Sequence, residues 1–478
     1  MPVVETKRVK VALISPPPPS PWAFVDYQNP SIGIAYLAAV LEKNGCRVMV
    51  LDCPALKMTY KDIEEEIRRF EPDIVGVTSV TATFLPALKV AHTIKESFPQ
   101  ALIVFGGPHV TITDEQILSE QKDVDVIVRG EGEQTVADIA RVASGAKSID
   151  QVAGITFRKN GQIVRTPDRP FIQNLDELPP PAYHYFPLRK YRIFGKLGLP
   201  MMTSRGCPLQ CGFCVVPRIA GSEFRARKMK NVVDELEWIR EKYKPDFITF
   251  NDDVFTYSKE RVLDFCSEIK QRKIKLPWDC QTRVDCVSEE ILAEMKAANC
   301  QLVTYGVESG CQKMLDAMKK GTTVQQNANA IKWAKEVGLS VAVFFVVGYP
   351  GETKETLNQT FDFIRKAEPD DVCLYLATPY PNTELRDLVK DMGWKIPQDW
   401  DKFELQTPAF ENMGLPFEKI NNRREIFYNQ LYSPAYIVRQ SFKGTIYSKI
   451  MVENGLHQLL WRMKLVWLST NFKKIIRL

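Results

Sequence analysis

The chain has 478 residues, 45% of them hydrophobic and 25% charged, and a formal net charge of +5. That length calls for two or three domains, the composition is that of a folded globular protein rather than a disordered one, and so mild a charge implies no nucleic-acid partner. Eleven cysteines, an odd count, argue against a disulfide framework and for a reducing compartment. With no apolar signal core at the N-terminus and no run of about 18 apolar residues, neither export nor a membrane span is expected, and a cytoplasmic location is.

In residues 1–145 short apolar runs alternate with helical patterns. The expected strands are Val9–Ser15, Arg47–Leu51, Ile74–Thr78, Leu102–Phe105 and Val124–Val128. Helical periodicity marks Ile32–Asn44, Lys61–Phe70, Phe84–Phe98, Asp114–Glu120 and Gln134–Ala143. Five βα units predict a flavodoxin-like, doubly wound parallel sheet. Ligands of such sheets bind beyond the carboxyl ends of the strands. The loops there hold Ser79 and Thr81, the run Gly106-Gly107-Pro108-His109, and Gly130-Glu131-Gly132-Glu133. Gly106 and Gly107 would let backbone approach a large ligand closely. Taken singly, the same residues read as a turn and as acids capping the next helix.

Residues 146–195 change character. Gly154–Arg165 alternates around Asn160-Gly161, a hairpin signal, and Leu178-Pro179-Pro180-Pro181 forms a stiff spacer. Over residues 196–410, strand-like runs at Pro200–Ser204, Asp246–Asn251, Trp278–Thr282, Leu302–Gly306, Ser340–Val347 and Asp371–Leu376 each precede a helical pattern. Six such units are too few for an eight-stranded barrel and predict an open, partial one with its chemistry at the carboxyl strand ends.

After the first of these runs comes Arg205-Gly206-Cys207-Pro208-Leu209-Gln210-Cys211-Gly212-Phe213-Cys214, a CxxxCxxC loop. Three thiolates on one loop can hold three irons of a 4Fe-4S cluster and leave the fourth open. The alternative is zinc, but that ion prefers four ligands, and neither a second CxxC pair nor a histidine cluster accompanies the loop.

This loop, with Phe213 before its last cysteine, resembles that of the radical S-adenosylmethionine (SAM) enzymes. Together with the Gly-Gly-Pro-His and Gly-Glu-Gly-Glu loops ahead of it, it resembles the cobalamin-binding, class B branch of that family. The resemblance implies a 4Fe-4S cluster on Cys207, Cys211 and Cys214, SAM on its open iron, and cobalamin on Ser79, Thr81, Gly106, Gly107, His109, Gly130, Glu131, Gly132 and Glu133. It places SAM contacts at Asp252 and Asp253 (amino group), Arg283, Asp285, Glu308 and Ser309 (carboxylate and ribose), and Gly348 and Gly351 (adenine). No DxHxxG sequence occurs, so the resemblance implies no histidine on the lower face of cobalt, and His109 is expected to bond the corrin periphery. Arg225 and Arg227 read as a solvated basic face. Pro379–Leu385 resembles a segment that closes the barrel, with Asn382 where relatives often have glycine.

The activity so implied is methyl transfer to an unactivated carbon of a small, possibly hydrophobic, molecule, with a reductase, flavodoxin or ferredoxin as electron donor. The alternatives are an oxidative cyclase or ring-rearranging enzyme on a tetrapyrrole or lipid, and a non-catalytic cobalamin or cluster sensor. Residues 411–478 are expected to be a mainly helical extension. From Tyr436 onward, eight bases face one acid, Glu453, among interleaved apolar residues from Leu459 to Leu468. This tail reads as a helical cap on the barrel mouth or as an amphipathic element at an anionic membrane surface, which would make the protein membrane-peripheral.

Overall fold

The computed structural model describes residues 8–18, 29–193, 195–449, 451–452 and 455–456. The first sheet comprises β1 (Lys10–Ser15), β2 (Arg47–Asp52), β3 (Ile74–Thr78), β4 (Leu102–Gly106), β5 (Val126–Val128), β6 (Ile155–Lys159) and β7 (Gln162–Arg165) in the order β2-β1-β3-β4-β5-β6-β7. β1 to β5 are mutually parallel, the flavodoxin-like order. Both faces are covered because both faces are apolar. Val11 and Leu13 pack with Ile34 and Ala38 of the helix Ile32–Lys43, while Ala12 and Ile14 join Ile63, Ile67 and Val90 on the other side. The Asn-Gly hairpin extends this sheet: β6 pairs antiparallel with β5, and β7 with β6.

A strap then ties the two halves together. Ala182 N–H donates to Ala35 O at 3.0 Å, Tyr183 donates its hydroxyl to Pro200 O, and Tyr191 donates to the Asp52 carboxylate. The second sheet begins with β8 (Arg192–Ile193) and β9 (Lys196–Met201). A two-stranded ribbon follows, β10 (Ser204–Arg205) with β11 (Arg225–Ala226). The sheet continues through β12 (Phe247–Phe250), β13 (Trp278–Arg283), β14 (Cys300–Glu308), β15 (Ser340–Val347) and β16 (Asp371–Leu376), in the order β16-β15-β14-β13-β12-β9-β8. Six strands, β9 and β12 to β16, run parallel and do not close on themselves, giving a partial barrel.

The first barrel strand starts earlier than the apolar run at 200–204 suggests. Thr203 and Ser204 leave the sheet because their polar groups bond Asp252 instead of a strand neighbour. At the other edge, the helix Phe417–Leu431 satisfies the open side of β16. Leu374 N–H donates to Tyr428 Oη and Leu374 O accepts from Arg424 Nη2, both at 2.8 Å. An edge strand with bonded backbone is no template for a second chain.

The described part of the C-terminal extension corrects the expected cap on the barrel mouth. Tyr436 donates to Asp370 O, Tyr432 to Asp371 Oδ1, and Gln440 and Lys443 reach the Asp370 carboxylate. Asp370 and Asp371 begin β16, so this segment plugs the amino ends of the strands. Leu459 to Leu468, and the bases from Arg462 to Arg477, lie outside the described residues.

Tyr447, from the same plug, donates its hydroxyl to Asp279, which also accepts from Thr249 Oγ1 at 2.9 Å. Burial pushes the Asp279 carboxyl up to about 7. A folded-state pKa above the unfolded value makes the native state hold the extra proton, so this site loses stability as pH rises from about 4 to about 7. We therefore expect the wild type to lose stability relative to Asp279→Asn over that window. Parallel pH profiles of thermal unfolding for the two proteins would contradict this.

Candidate functional site

The chemistry-bearing residues converge at the carboxyl ends of β9 and β12 to β15. The cysteine loop is pinned there by backbone: Cys207 N–H donates to Gly221 O (3.1 Å), Gly212 N–H to Met318 O (2.9 Å), and Leu385 N–H to Gly212 O (2.8 Å). Gly206 opens the loop at φ +84°, where a Cβ would lie 2.2 Å from Glu223 O, so only glycine fits. Cys207, Cys211 and Cys214 are half-buried on this loop, and burial pushes the Cys214 thiol up to about 12. A thiolate there needs positive charge beside it, and Arg283 Nη1 stands 3.6 Å from Cys211 Sγ. Among the described residues, no three His, Cys, Asp or Glu side chains gather around a single-ion centre. Three thiols on one fixed loop with a guanidinium against one of them suit an anionic polynuclear cluster.

Asp252 and Asp253, expected as a pair, have separate surroundings. Asp252 is buried and accepts from Thr203 N–H, Thr203 Oγ1 and Ser204 Oγ, with Arg261 at 3.9 Å. Its carboxylate anchors the start of the cysteine loop. Asp253 is exposed, yet burial and the Asp252 charge push its carboxyl up to about 6. An acid open to solvent but crowded by protein lies in the wall of a concavity.

Arg283 and Asp285 form a bidentate pair at 2.9 and 2.8 Å, and Arg283 Nη2 also donates to Lys320 O. Glu308 holds a left-handed backbone, φ +62°, and bonds Lys320 Nζ at 2.9 Å. Such a conformation is uncommon for a residue other than glycine and collects at functional sites. Ser309 departs from expectation: its hydroxyl is buried, pairs with Thr360 and accepts from Cys311 N–H. Gly348, at φ +81°, packs where a Cβ would meet Phe417 at 2.6 Å, while Gly351 has open space about it. Glu352 accepts from Gly348 N–H, burial pushes its carboxyl up to about 8, and its Oε1 has no partner within the chain. An orphaned buried oxygen beside an uncrowded glycine fits a site that a polar ligand completes.

The loops of the first sheet face this centre. Gly107, at φ +104°, sits where a Cβ would lie 2.7 Å from Ser79 O, so its glycine serves contact between two loops and not room for a ligand. Gly106 meets only Val128 at 4.0 Å and leaves that room. Ser79 is fully buried, its hydroxyl turned to Val80 O. His109 Nδ1 bonds Thr81 Oγ1 at 3.2 Å, its ring lies between Phe84 and Trp400, and burial pushes it down to about 4. The imidazole is therefore neutral at pH 7, and its buried Nε2 has no partner within the chain. Open backbone at Gly106 and that unpaired nitrogen fit a large polar ligand at the strand ends.

Glu131 and Glu133 have partners that the sequence does not reveal. Glu131 Oε1 lies 3.1 Å from Arg205 Nη1 and 2.9 Å from Arg225 Nη1, and its Oε2 accepts from Ile172 N–H. Glu133 accepts from Arg205 Nη2. All four side chains are nearly sealed from solvent. Their charges clamp the first sheet to the ribbon that carries the cysteine loop. Arg225 and Arg227 are likewise no solvated face: Arg227 pairs with Glu235 at 2.9 Å and Asp176 at 3.3 Å. Asn382 adopts φ +60° and reaches Ile112 O at 3.4 Å, a further bond between the halves. Lys320, Arg261 and Trp400, which contact Glu308, Asp252 and His109, sit in no spacing that marks them in advance, whereas Glu352 lies within the segment Gly348–Thr353.

Comparison with known proteins agrees with this architecture. Residues 23–140 match the B12 binding domain family and residues 201–364 the radical SAM superfamily. An uncharacterised methyltransferase of Pyrococcus horikoshii is 33% identical over 91% of this chain and 95% of its own length. The anaerobic magnesium-protoporphyrin IX monomethyl ester cyclase of Rubrivivax gelatinosus is 31% identical over 84% of this chain and 74% of its own. In fold, the radical SAM methyltransferase TsrM of Kitasatospora setae superposes with a TM-score of 0.66 at 20% identity, covering 80% of this chain and 75% of that one. Cobalamin, SAM and a 4Fe-4S cluster are the cofactors of such a domain pair. This chain is an enzyme and belongs to the cobalamin-binding radical SAM family.

Proposed function

We propose that the chain transfers a methyl group to an unactivated carbon of a small molecule, with Cys207, Cys211 and Cys214 holding the cluster. The observation that carries this is the placement of two centres against each other. A loop of three thiols at the carboxyl ends of one sheet is clamped by Arg205 and Arg225 to the ligand-facing loop of the other. Methyl-transferring relatives support the reading, and the cyclase relatives keep oxidative ring closure as its alternative. The bound cofactors supply radical chemistry and the methyl group, and the protein supplies position.

Each role belongs to named residues. Arg283, held flat by Asp285, offsets negative charge at Cys211. Asp253, an acid in a concavity, suits the ammonium of SAM, and the open space at Gly351 suits its adenine. Glu308, locked by Lys320, and Arg283 border the place where SAM's carboxylate and ribose would lie. Gly106 gives backbone access at the facing loops, next to Gly130 and Gly132, and the unpaired Nε2 of His109, held by Thr81, is the polar atom offered to cobalamin there. Such positioning counts because orientation and exclusion of water decide the outcome of an unselective reactive species. An electron donor outside the chain completes the requirement.

Anaerobic incubation with methyl-labelled SAM, cobalamin and a reductant should place label in the product of a metabolite extract. Unlabelled product carrying a new ring would favour the cyclase reading. Cys211→Ala should lose both the iron-sulfur absorbance and 5′-deoxyadenosine formation, and retained cleavage would remove the cysteine assignment. Arg205→Met takes from Glu133 its ion-pair partner and leaves Glu131 to Arg225 alone, and breaking a buried pair in this way costs about 3–5 kcal/mol. We expect lower thermal stability and at least tenfold slower product formation at normal cluster content. Unchanged turnover would show that the clamp has no part in alignment.

A further inference from the structure

Strand alternation sorts the second sheet into two faces. Trp278 packs on Phe250, Phe255 and Phe265, and Phe345 on Phe363, which assigns those positions to the helix-covered side. Their neighbours in sequence line the concave side, and direct contacts agree. Asp279 bonds Thr249 and Tyr447, Phe344 meets Tyr375 with ring centroids 5.5 Å apart, and a Cβ on Gly306 would lie 2.5 Å from Glu308 Oε1. Inward residues in the middle of a seven-stranded sheet would be buried if the barrel were filled. Instead Gln281 is exposed, and Thr249, Phe344, Cys373 and Tyr375 are half-exposed. These exposures leave the lumen unfilled between Tyr447 at the amino ends and the cysteine loop at the carboxyl ends.

Its charges are already spoken for. Arg283 is held by Asp285, Lys320 by Glu308, and Asp279 by Thr249 and Tyr447, while the exposed Asp253 adds an acid at the rim. With Arg283 bordering the place of SAM's carboxylate and Lys320 held by Glu308, a substrate anion entering beside SAM would find no further cation, and a buried charge without a partner is unfavourable. Two aromatic rings and a neutral amide remain to meet a ligand. Gln281 stands two residues before Arg283 on the same face, so the two Cα atoms are about 7 Å apart along the strand.

We propose that this cavity takes an uncharged substrate, with a flat or apolar part against Phe344 and Tyr375 and a polar group on the Gln281 amide. The inference rests on the reading of the strand ends as the reaction centre and goes beyond it by naming the substrate's chemistry.

The test uses the full chain, anaerobic and loaded with cluster, cobalamin and saturating SAM. It compares two fluorescent probes, N-phenyl-1-naphthylamine and its sulfonate, 8-anilinonaphthalene-1-sulfonate. The neutral probe should bind at least tenfold more tightly than the sulfonate. Gln281→Lys, at an exposed position that tolerates the change, should tighten sulfonate binding at least tenfold, and Phe344→Ala should weaken the neutral probe severalfold. Equal affinities, a preference for the sulfonate, or a Gln281→Lys variant identical to wild type would overturn the proposal. Formation of 5′-deoxyadenosine in the same preparation reports on the reaction centre separately. Its absence would remove that reading, whereas a preference for the anion overturns the substrate class whether or not SAM is cleaved.

Discussion

Arginine charge buried between two sheets is what the rest of this molecule is arranged around. Arg205 and Arg225 lie on one short ribbon, and both reach Glu131 from the loop after β5, with Glu133 joining Arg205. Desolvated ions repay their cost only in good geometry with their remaining hydrogen bonds met. Glu131 meets that condition through Ile172 N–H, and Arg225 meets it at both terminal nitrogens through Ile172 O and Ala220 O, its Nε having no partner within the chain. The clamp is thus exacting about distance and angle. The cysteine loop leaves directly from Arg205, so that exactness is passed to the three thiols within a few residues.

Asp252 extends the same logic from below. Burial raises its pKa, and hydrogen bonds from Thr203 and Ser204 with the charge of Arg261 oppose that rise. Those donors stand immediately before Arg205, so one end of the loop is held by a buried acid and the facing loop by buried bases. Loops that carry function are ordinarily mobile and are fixed by a scaffold. Here the fixing is done by ion pairs.

How much of this was legible beforehand depended on whether the signal was local. The apolar runs of β1 to β5 and of the barrel strands follow from burial on one or two faces, which nearest neighbours in sequence encode. The CxxxCxxC spacing is local too. Arg225 was legible as a charge but not as a buried one, because its partner lies 94 residues away. Gly107 read as room for a ligand, whereas its φ and the nearness of Ser79 O reflect two loops meeting. The end of the barrel that the tail covers depended on Asp370 and Asp371, whose bonding to Tyr432 and Tyr436 has no trace in spacing. Ser309 pairs with Thr360, Asp252 with Thr203 and Ser204, and the two glutamates with Arg205 and Arg225, partners 48 to 94 residues away that no local pattern announces.

The position of that plug has a consequence for the chemistry. A helical segment on the mouth would have left the amino ends of the strands open and the reactive end sealed by side chains that had to move for each turnover. Among the described residues, Tyr432, Tyr436 and Tyr447 close the amino ends, opposite the carboxyl ends where cysteine loop and facing loops meet. Tyrosine suits such a floor, since its ring fills apolar space while its hydroxyl satisfies a buried acid. Three tyrosines bonded to Asp279, Asp371 and Asp370 O, with Lys443 on the Asp370 carboxylate, therefore satisfy the acids at this end of the lumen. The polarity of the cavity is set as much by this distant segment as by the strands that line it.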